Sequence, residues 1–207
     1  MDLFDAIETR RSVKKFDPDH RMSTAEEERL LTAAMRSPTA FNIQHWRFVV
    51  VRDPELRAKL REASWGQPQV TDCSLLVAVC GDMRAWAKDP ARYWREAEAA
   101  VRDQLVPMIL RFYDGNDQLA RDEAQRSCGM AAQTLMLAAR AMGYDSCPMD
   151  GFDPERVAEL LRLPDDHLIS MFVAIGKPVE PARPRSGQLD LDAVRIVDRF
   201  PEGTPKG

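Results

Sequence analysis

The sequence predicts an α+β or α/β fold in a single domain, and three observations support this. The 207 residues are 44% hydrophobic and 30% charged, which is ordinary for a globular domain with one buried core. Only three short segments have the apolar, β-branched character of strands, at residues 47–52, 75–79 and 168–175. Helical periodicity covers much of the remainder. Few strands among many helices therefore indicate a mixed fold, and we expect one domain over residues 1–207.

The first half of the chain alternates helix signals with strand signals. Apolar residues at helical spacing predict a first helix over residues 2–10. Ser23 and Glu26 have the spacing of a capping box, which predicts the start of a second helix. After the first strand, Asp53 and Pro54 predict the N-cap and the first residue of a third helix.

The second half contains the most regular helix of the sequence. Small residues recur at helical spacing over residues 117–142, so this helix lies either at the centre of the subunit or in a dimer interface. Residues 86–115 mix aromatic residues, charges and a proline, which predicts broken helices whose aromatic side chains belong to the core or to a pocket. We expect the two later strands to end at Gly81 and Gly176. From about residue 177, prolines and arginines predict an extended arm.

Composition excludes several functional classes. The chain has 29 Lys and Arg against 33 Asp and Glu, a formal net charge of -4, so its overall charge attracts neither nucleic acid nor an acidic membrane surface. Its apolar stretches are far shorter than the roughly 20 residues of a transmembrane helix, and it does not begin like a signal sequence. We therefore expect a cytoplasmic protein.

The spacing of the cysteines, histidines and glycines limits which disulfides, metal sites and nucleotide-binding motifs we expect. The four cysteines are widely spaced without a Cys-x-x-Cys motif, which predicts reduced, structural thiols. The three histidines are scattered, so we expect no metal site. No two glycines are separated by a single residue, which excludes the Gly-x-Gly-x-x-Gly fingerprint of dinucleotide-binding folds. A bound nucleotide would need another kind of cradle.

A basic cluster follows the first predicted helix. Its members, with one hydroxyl among them, are Arg10, Arg11, Ser12, Lys14 and Lys15. These cations could simply interact with the C-terminal end of the helix dipole. Alternatively, they form a phosphate clamp that Arg183 and Arg185 of the arm complete.

Two further segments concentrate polar groups. The loop of residues 37–46 either satisfies its own backbone or uses amides such as Asn42 and Gln44 to bind a polar heterocycle. The segment of residues 147–152 is either a plain turn before a capped helix or a turn whose main-chain N–H groups point at a ligand.

Taken in order along the chain, these segments resemble the FMN-dependent nitroreductase family. Residues 10–14 resemble its N-terminal phosphate signature, and residues 37–46 resemble its Ser-Pro-Ser-x-x-Asn-x-Gln-Pro-Trp loop. Residues 148–151 resemble its turn beside the flavin, and the arm is similar to its basic C-terminal element. His45 stands where the loop motif has proline, so either the loop is looser there or the imidazole enters the pocket.

The resemblance implies an α+β fold with a mostly antiparallel central sheet flanked by helices, in an intertwined homodimer with FMN at its interface. It implies ping-pong hydride transfer from NADH or NADPH through flavin N5 to an acceptor such as a nitroaromatic or a quinone. The flavin carries this chemistry, so no catalytic side chain is assigned. The alternatives are a family branch that reduces flavins, enones or organohalides, and a non-catalytic FMN-binding dimer.

The resemblance also assigns residues to the flavin. Lys14 faces the pyrimidine side of the ring, and the phosphate is held by Arg10, Ser12, Arg183 and Arg185. The partner subunit contributes Thr39, Ala40 and Asn42. Pro148 and the backbone of Asp150 and Gly151 lie near N5, and Gln67 and Gln69 lie near the ring. The cofactor-binding residues are then Arg10, Arg11, Ser12, Lys14, Thr39, Ala40, Asn42, Gln67, Gln69, Pro148, Met149, Asp150, Gly151, Arg183 and Arg185.

Overall fold

A four-stranded sheet organises the computed structural model, which describes residues 1–200. The strands β1 to β4 are Trp46–Val51, Leu75–Asp82, Asp145–Met149 and His167–Gly176. They lie in the order β1-β2-β4-β3, and every neighbouring pair is antiparallel. The expected α+β fold with an antiparallel sheet is confirmed, and the α/β alternative is wrong.

Helices precede, connect and follow these strands. In chain order, α1 to α9 are Leu3–Thr9, Thr24–Ala34, Pro54–Ala63, Gln69–Asp72, Ala85–Lys88, Ala99–Tyr113, Asp117–Ala141, Pro154–Leu161 and Leu191–Val194, and two 3₁₀ helices occupy Ala40–Asn42 and Pro90–Trp94. The predicted caps are confirmed. Ser23 and Glu26 form a reciprocal capping box at α2, and the Asp53 carboxylate accepts a hydrogen bond from the backbone N–H of Glu55 at α3.

Alternate residues of the sheet supply two hydrophobic clusters, one on each face. Leu75, Val77 and Val79 pack with α2 and α7, whereas Leu76 and Ala78 pack with α3 and α8 on the opposite face. This alternation is the period of two that a strand imposes on its side chains. The core therefore consists of two helical layers around one sheet.

Helix α7 packs closely against the sheet within the single chain. Ala124, Cys128 and Ala131 are fully buried, so the central position predicted as one alternative is confirmed. A Cβ atom added to Gly81 would lie 3.1 Å from the Ala124 Cβ and 3.2 Å from the Cys128 Sγ. The expectation that β2 ends at Gly81 is wrong: the strand continues to Asp82, and the glycine makes room for α7.

The cysteines lie in the core. All four are buried and none forms a disulfide. Burial raises the pKa of the Cys80 and Cys128 thiols to about 12, so they remain protonated at neutral pH. These observations agree with the structural role predicted for the cysteines.

Strand β3 was not predicted. Residues 147–149 were expected to form part of a turn, but Cys147, Pro148 and Met149 pair with β4. Pro148 has no N–H to donate to a neighbouring strand. It is tolerated because β3 is an edge strand, where this donor is not needed. The segment lacks the β-branched run that marks the other three strands.

The segment between β2 and α7 forms broken helices, as predicted. Helix α5, the second 3₁₀ helix and α6 follow one another, and Pro107 lies inside α6 without ending it. Trp86 and Tyr113 belong to a third hydrophobic cluster, whereas Tyr93 and Trp94 line a cavity, so both roles predicted for these aromatics occur. Each helix within residues 1–200 is too short or too polar to span a membrane.

Candidate functional site

A cavity of about 530 Å³ lies between the segment after α1, the residues around α4 and the start of the arm. It brings together five of the predicted cofactor-binding residues from three distant parts of the sequence. These are Ser12, Lys14, Gln67, Gln69 and Arg183. The volume falls within the range of about 300–1,000 Å³ that is typical of small-molecule sites.

Main-chain contacts at one edge of the sheet explain why the two ends of the chain meet here. The Val13 N–H donates to the Ser146 carbonyl of β3 at 3.0 Å, which places Ser12 beside the strand. The Asp17 N–H donates to the Lys177 carbonyl at 2.8 Å, just before the arm begins. These two contacts bring the basic residues of the N-terminal segment close to those of the arm.

The arginines around the end of α1 differ in whether their guanidinium groups have hydrogen-bond partners. Arg11 donates to the Arg10 carbonyl at 2.9 Å, and Arg185 donates to the Ile7 carbonyl at 3.2 Å. The predicted interaction with the helix end therefore holds for Arg11, and Arg185, which was predicted only as part of the phosphate clamp, makes the same kind of contact. In contrast, the Arg10 Nη1 is buried and has no hydrogen-bond partner among residues 1–200.

The electrostatic environment of Arg10 favours the binding of an anion. Burial, followed by repulsion from Arg185 and Arg11, lowers the pKa of the Arg10 guanidinium. None of these three arginines forms an ion pair in the described part of the chain. A phosphate would relieve the repulsion and satisfy the buried donor.

The two lysines of the basic cluster are distinct. The Lys15 Nζ is 3.1 Å from the Glu180 Oε2 in an exposed ion pair. Lys14 also lines the cavity but has no ion-pair partner within residues 1–200. Of the two lysines, only Lys14 therefore contributes an uncompensated charge to this wall within the described residues.

A chain of hydrogen bonds joins the two glutamines to the turn after β3. Gln69 donates to the side-chain oxygen of Gln67 at 3.0 Å, and Gln67 donates to the Gly151 carbonyl at 2.9 Å. The Gly151 N–H has no acceptor in the described part of the chain. The turn therefore retains a free main-chain donor beside two fixed side-chain amides.

Trp65 is a neighbour of this turn that the sequence did not reveal. A Cβ atom added to Gly151 would lie 3.0 Å from the Trp65 Cζ3, so only glycine fits there without displacing the indole. Trp65 is 72% exposed and has a φ of 54°, in the left-handed region that a bulky residue rarely adopts. No local pattern distinguishes it from a tryptophan at the end of a helix.

Thr39, Ala40 and Asn42 do not line this cavity. They lie in and beside the first 3₁₀ helix, where Asn42 has a φ of 56° and donates from its amide to the Tyr93 carbonyl at 2.9 Å. The Thr39 hydroxyl accepts from the Gln44 N–H at 3.0 Å. Within one chain, Thr39 supports its own loop, and Asn42 holds the second 3₁₀ helix against that loop.

His45 lies in the core. Its side chain is fully buried, with Nδ1 3.2 Å from the Ser127 Oγ of α7. Burial lowers its pKa to about 4; Asp82 raises it by a smaller amount, and Arg47 lowers it slightly further. The alternative in which the imidazole enters the pocket is wrong, because the ring is fully buried, does not line the cavity and packs against Tyr113.

A cluster at the end of β2 and the start of β4 consists of Asp82, Asp166 and His167, whose ligand atoms are close enough for a metal ion. Basic side chains already neutralise it. The Lys88 Nζ lies 2.9 Å from Asp82 and 2.8 Å from Asp166, and Arg47 lies 3.0 Å from Asp82. The cluster therefore acts as an ion-pair network that fastens α5 to the sheet.

Comparisons with known proteins extend over most of the chain. A family model described as Nitroreductase family matches residues 7–177. Protein DrgA of Synechocystis sp. is 60% identical over 88% of this chain and 87% of its own length. The candidate NAD(P)H nitroreductase YodC of Bacillus subtilis is 34% identical over 92% of this chain and 96% of its own. The crystal structure of a candidate nitroreductase from Exiguobacterium sibiricum in complex with FMN has a TM-score of 0.88 and 30% identity, covering 95% of this chain and 97% of that one.

Proposed function

The chain belongs to the nitroreductase family, and from this premise we propose that it transfers hydride from NADH or NADPH, by way of bound FMN, to a small acceptor such as a nitroaromatic or a quinone. Its relatives support an NAD(P)H-dependent oxidoreductase with FMN as the cofactor. The observation that carries the proposal is the cavity joining Ser12, Gln67 and Arg183, together with Arg10 two positions before Ser12, whose buried Nη1 has no hydrogen-bond partner within residues 1–200.

The residues present fit the phosphate of FMN. Arg10 offers a buried donor without a partner, and it stands with Arg11 and Arg185 in a cluster without carboxylates. Ser12 and Arg183 add a hydroxyl and a further guanidinium at the cavity wall. Such a concentration of positive charge in a chain of net charge -4 is stabilised by a doubly charged anion.

The remaining wall fits a polar ring system. Gln67 and Gln69 carry both donors and acceptors. Gly151, whose carbonyl accepts from Gln67, adds next to this wall an N–H without an acceptor among residues 1–200. When bound, FMN supplies the redox chemistry, because its ring accepts and releases hydride. The protein orients the ring through these polar groups. Lys14 places a positive charge at the wall, which favours negative charge on a bound ligand.

We further propose that the active form is a homodimer to which Thr39, Ala40 and Asn42 contribute from the partner subunit. Large apolar side chains that a single chain leaves in solvent support this proposal. They cluster on α1 and along the arm, at Leu3, Phe4, Leu189, Leu191, Val194, Val197 and Phe200. Exposed apolar surface of this extent is typical of protein interfaces. An intertwined arm would cover it with a second copy of the chain.

An acceptor panel tests the proposed activity. The FMN-loaded protein is assayed for oxidation of NADH and of NADPH with nitroaromatic, quinone, enone and free-flavin acceptors. We expect oxidation that depends on the acceptor with at least one nucleotide. Bound flavin without oxidation of either nucleotide, whatever the acceptor, would favour the non-catalytic FMN-binding alternative.

A further inference from the structure

A second cavity, of about 590 Å³, lies between α2, the loop that contains Asn42 and Gln44, and the 3₁₀ helix Pro90–Trp94. It shares no lining residue with the cavity assigned to FMN. A hydrogen bond from the Asn42 amide to the Tyr93 carbonyl, at 2.9 Å, joins two sides of this cavity. The cavity is large enough for a small organic ligand.

The charge of this cavity favours an anion. Arg36, Arg92 and Arg95 line it together with one acidic residue, Glu96. Arg95 lies 3.6 Å from Glu96, so these two charges compensate each other. Arg36 and Arg92 form no ion pair within residues 1–200. Two uncompensated guanidiniums from different elements thus meet in one cavity, a pattern suited to phosphate oxygens.

The other lining residues favour an aromatic heterocycle. Tyr93 and Trp94 supply aromatic surface, and the Trp94 indole N–H is buried without an acceptor in the described part of the chain. Asn42 and Gln44 add amides that can both donate and accept. Guanidiniums beside aromatic rings and amides match a ligand that carries both phosphate and a polar base.

We propose that this cavity binds the adenosine phosphate part of the nicotinamide nucleotide, with Arg36 and Arg92 contacting its phosphate groups. The inference rests on the proposed function, since NADH or NADPH is the hydride donor there. In that function Asn42 belongs to the loop contributed to the flavin site. A nucleotide bound beside Asn42 would therefore have its adenosine end in this cavity and its nicotinamide end toward the flavin.

Steady-state kinetics of the FMN-loaded Arg36→Gln and Arg92→Gln variants tests the proposal. Losing a charge-assisted contact should raise KM for the nucleotide about tenfold or more, with little change in kcat. Activity with 1-benzyl-1,4-dihydronicotinamide, which has no phosphate or adenosine, should remain at the wild-type level. Arg156→Gln is the control, because it removes the same charge from exposed α8.

Calorimetric titration with adenosine 2′,5′-bisphosphate and with 5′-AMP provides a second measurement independent of turnover. If the variants lose affinity for the bisphosphate but not for 5′-AMP, and KM rises for NADPH but not for NADH, the arginines contact the 2′-phosphate. If KM rises equally for NADH and NADPH, the arginines contact the pyrophosphate. Both results support the proposal.

Two other outcomes separate the possible failures. Unchanged KM values and unchanged calorimetric affinities in both variants would overturn the assignment of this cavity while leaving the proposed function intact. If the FMN-loaded wild type oxidises neither nucleotide nor the benzyl compound, the proposed function is wrong and this inference is overturned with it.

Discussion

At the scale of single residues, the arginines near α1 show how one residue type takes different roles. Arg11 and Arg185 donate to carbonyls at the helix end, which is the simple role that helix electrostatics predicts. Arg10, one position away, keeps a buried donor unpaired. Burial separates these roles, and no spacing rule in the sequence predicts it.

Replacing Arg10 with glutamate should weaken FMN binding at least about tenfold, because a charge-assisted hydrogen bond is lost and repulsion of the phosphate is added. FMN titration into the apoprotein, followed by quenching of flavin fluorescence, measures the affinity. Arg121→Glu, at an exposed position of α7, controls for the change in net charge. Wild-type affinity in Arg10→Glu would show that this residue does not hold the phosphate.

Replacing Lys14 with methionine should lower the reduction potential of bound FMN and slow its reduction by NAD(P)H, because the cation favours the more negative reduced ring. For a two-electron couple, about 30 mV corresponds to roughly 1.4 kcal/mol, so a redox titration resolves a modest effect. Lys15→Met is the matched control, since Lys15 is paired with Glu180. An unchanged potential and rate would exclude Lys14 from the mechanism.

At the scale of elements, the sequence predicts those helices and strands whose signals are local. The capping box at Ser23, the N-cap at Asp53 and the small-residue periodicity of α7 each depend on neighbouring residues, and each is observed. Strand β3 and the continuation of β2 through Gly81 depend on packing across the sheet. Packing between distant residues leaves no pattern in a short stretch of sequence, so neither feature is predicted from the sequence.

The buried contact between His45, just before β1, and Ser127 of α7 gives the stability of the protein a predictable pH dependence. Burial lowers the pKa of His45 from 6.5 to about 4, so between these values the unfolded chain binds a proton that the folded chain does not. The free energy of unfolding should therefore fall as pH falls through this window, by about 1.4 kcal/mol for each pH unit. Urea unfolding at pH 7 and pH 5 measures the change.

His45→Gln provides the comparison for that experiment. A glutamine keeps an amide for the Ser127 hydroxyl but cannot gain a proton, so its unfolding free energy should change less over the same interval. Equal changes in the wild type and the variant would show that His45 does not supply the pH dependence.

At the scale of the whole molecule, the cavity proposed to bind FMN exists only because the two ends of the chain meet at one sheet edge. Ser12 pairs with Ser146, and Phe16 pairs with Pro178 at the start of the arm. Residue spacing alone leaves the N-terminal basic cluster with a simple explanation, the interaction with the helix dipole. The order of the motifs along the chain indicated their shared role, and the fold shows that Ser12 and Arg183 line one cavity.

The proposed dimer predicts that the FMN-loaded protein sediments with twice the mass of one chain. A charge at Ala131 would not test this, because Ala131 is buried within its own subunit. Phe4 is 75% exposed in the single chain, so Phe4→Asp should weaken association without unfolding the subunit. Sedimentation equilibrium with circular dichroism measures both. A stable, flavin-bound monomer of the unmodified protein would contradict the dimer.

Anaerobic spectroscopy of the FMN-loaded wild type tests the central claim most directly. Adding NADH or NADPH should bleach the absorbance of the bound flavin, and a quinone or nitroaromatic added afterwards should restore it without further nucleotide. Bleaching followed by recovery requires the donor and the acceptor to react in turn with the same bound cofactor. A protein that binds no FMN, or whose flavin spectrum neither nucleotide changes, would contradict the account.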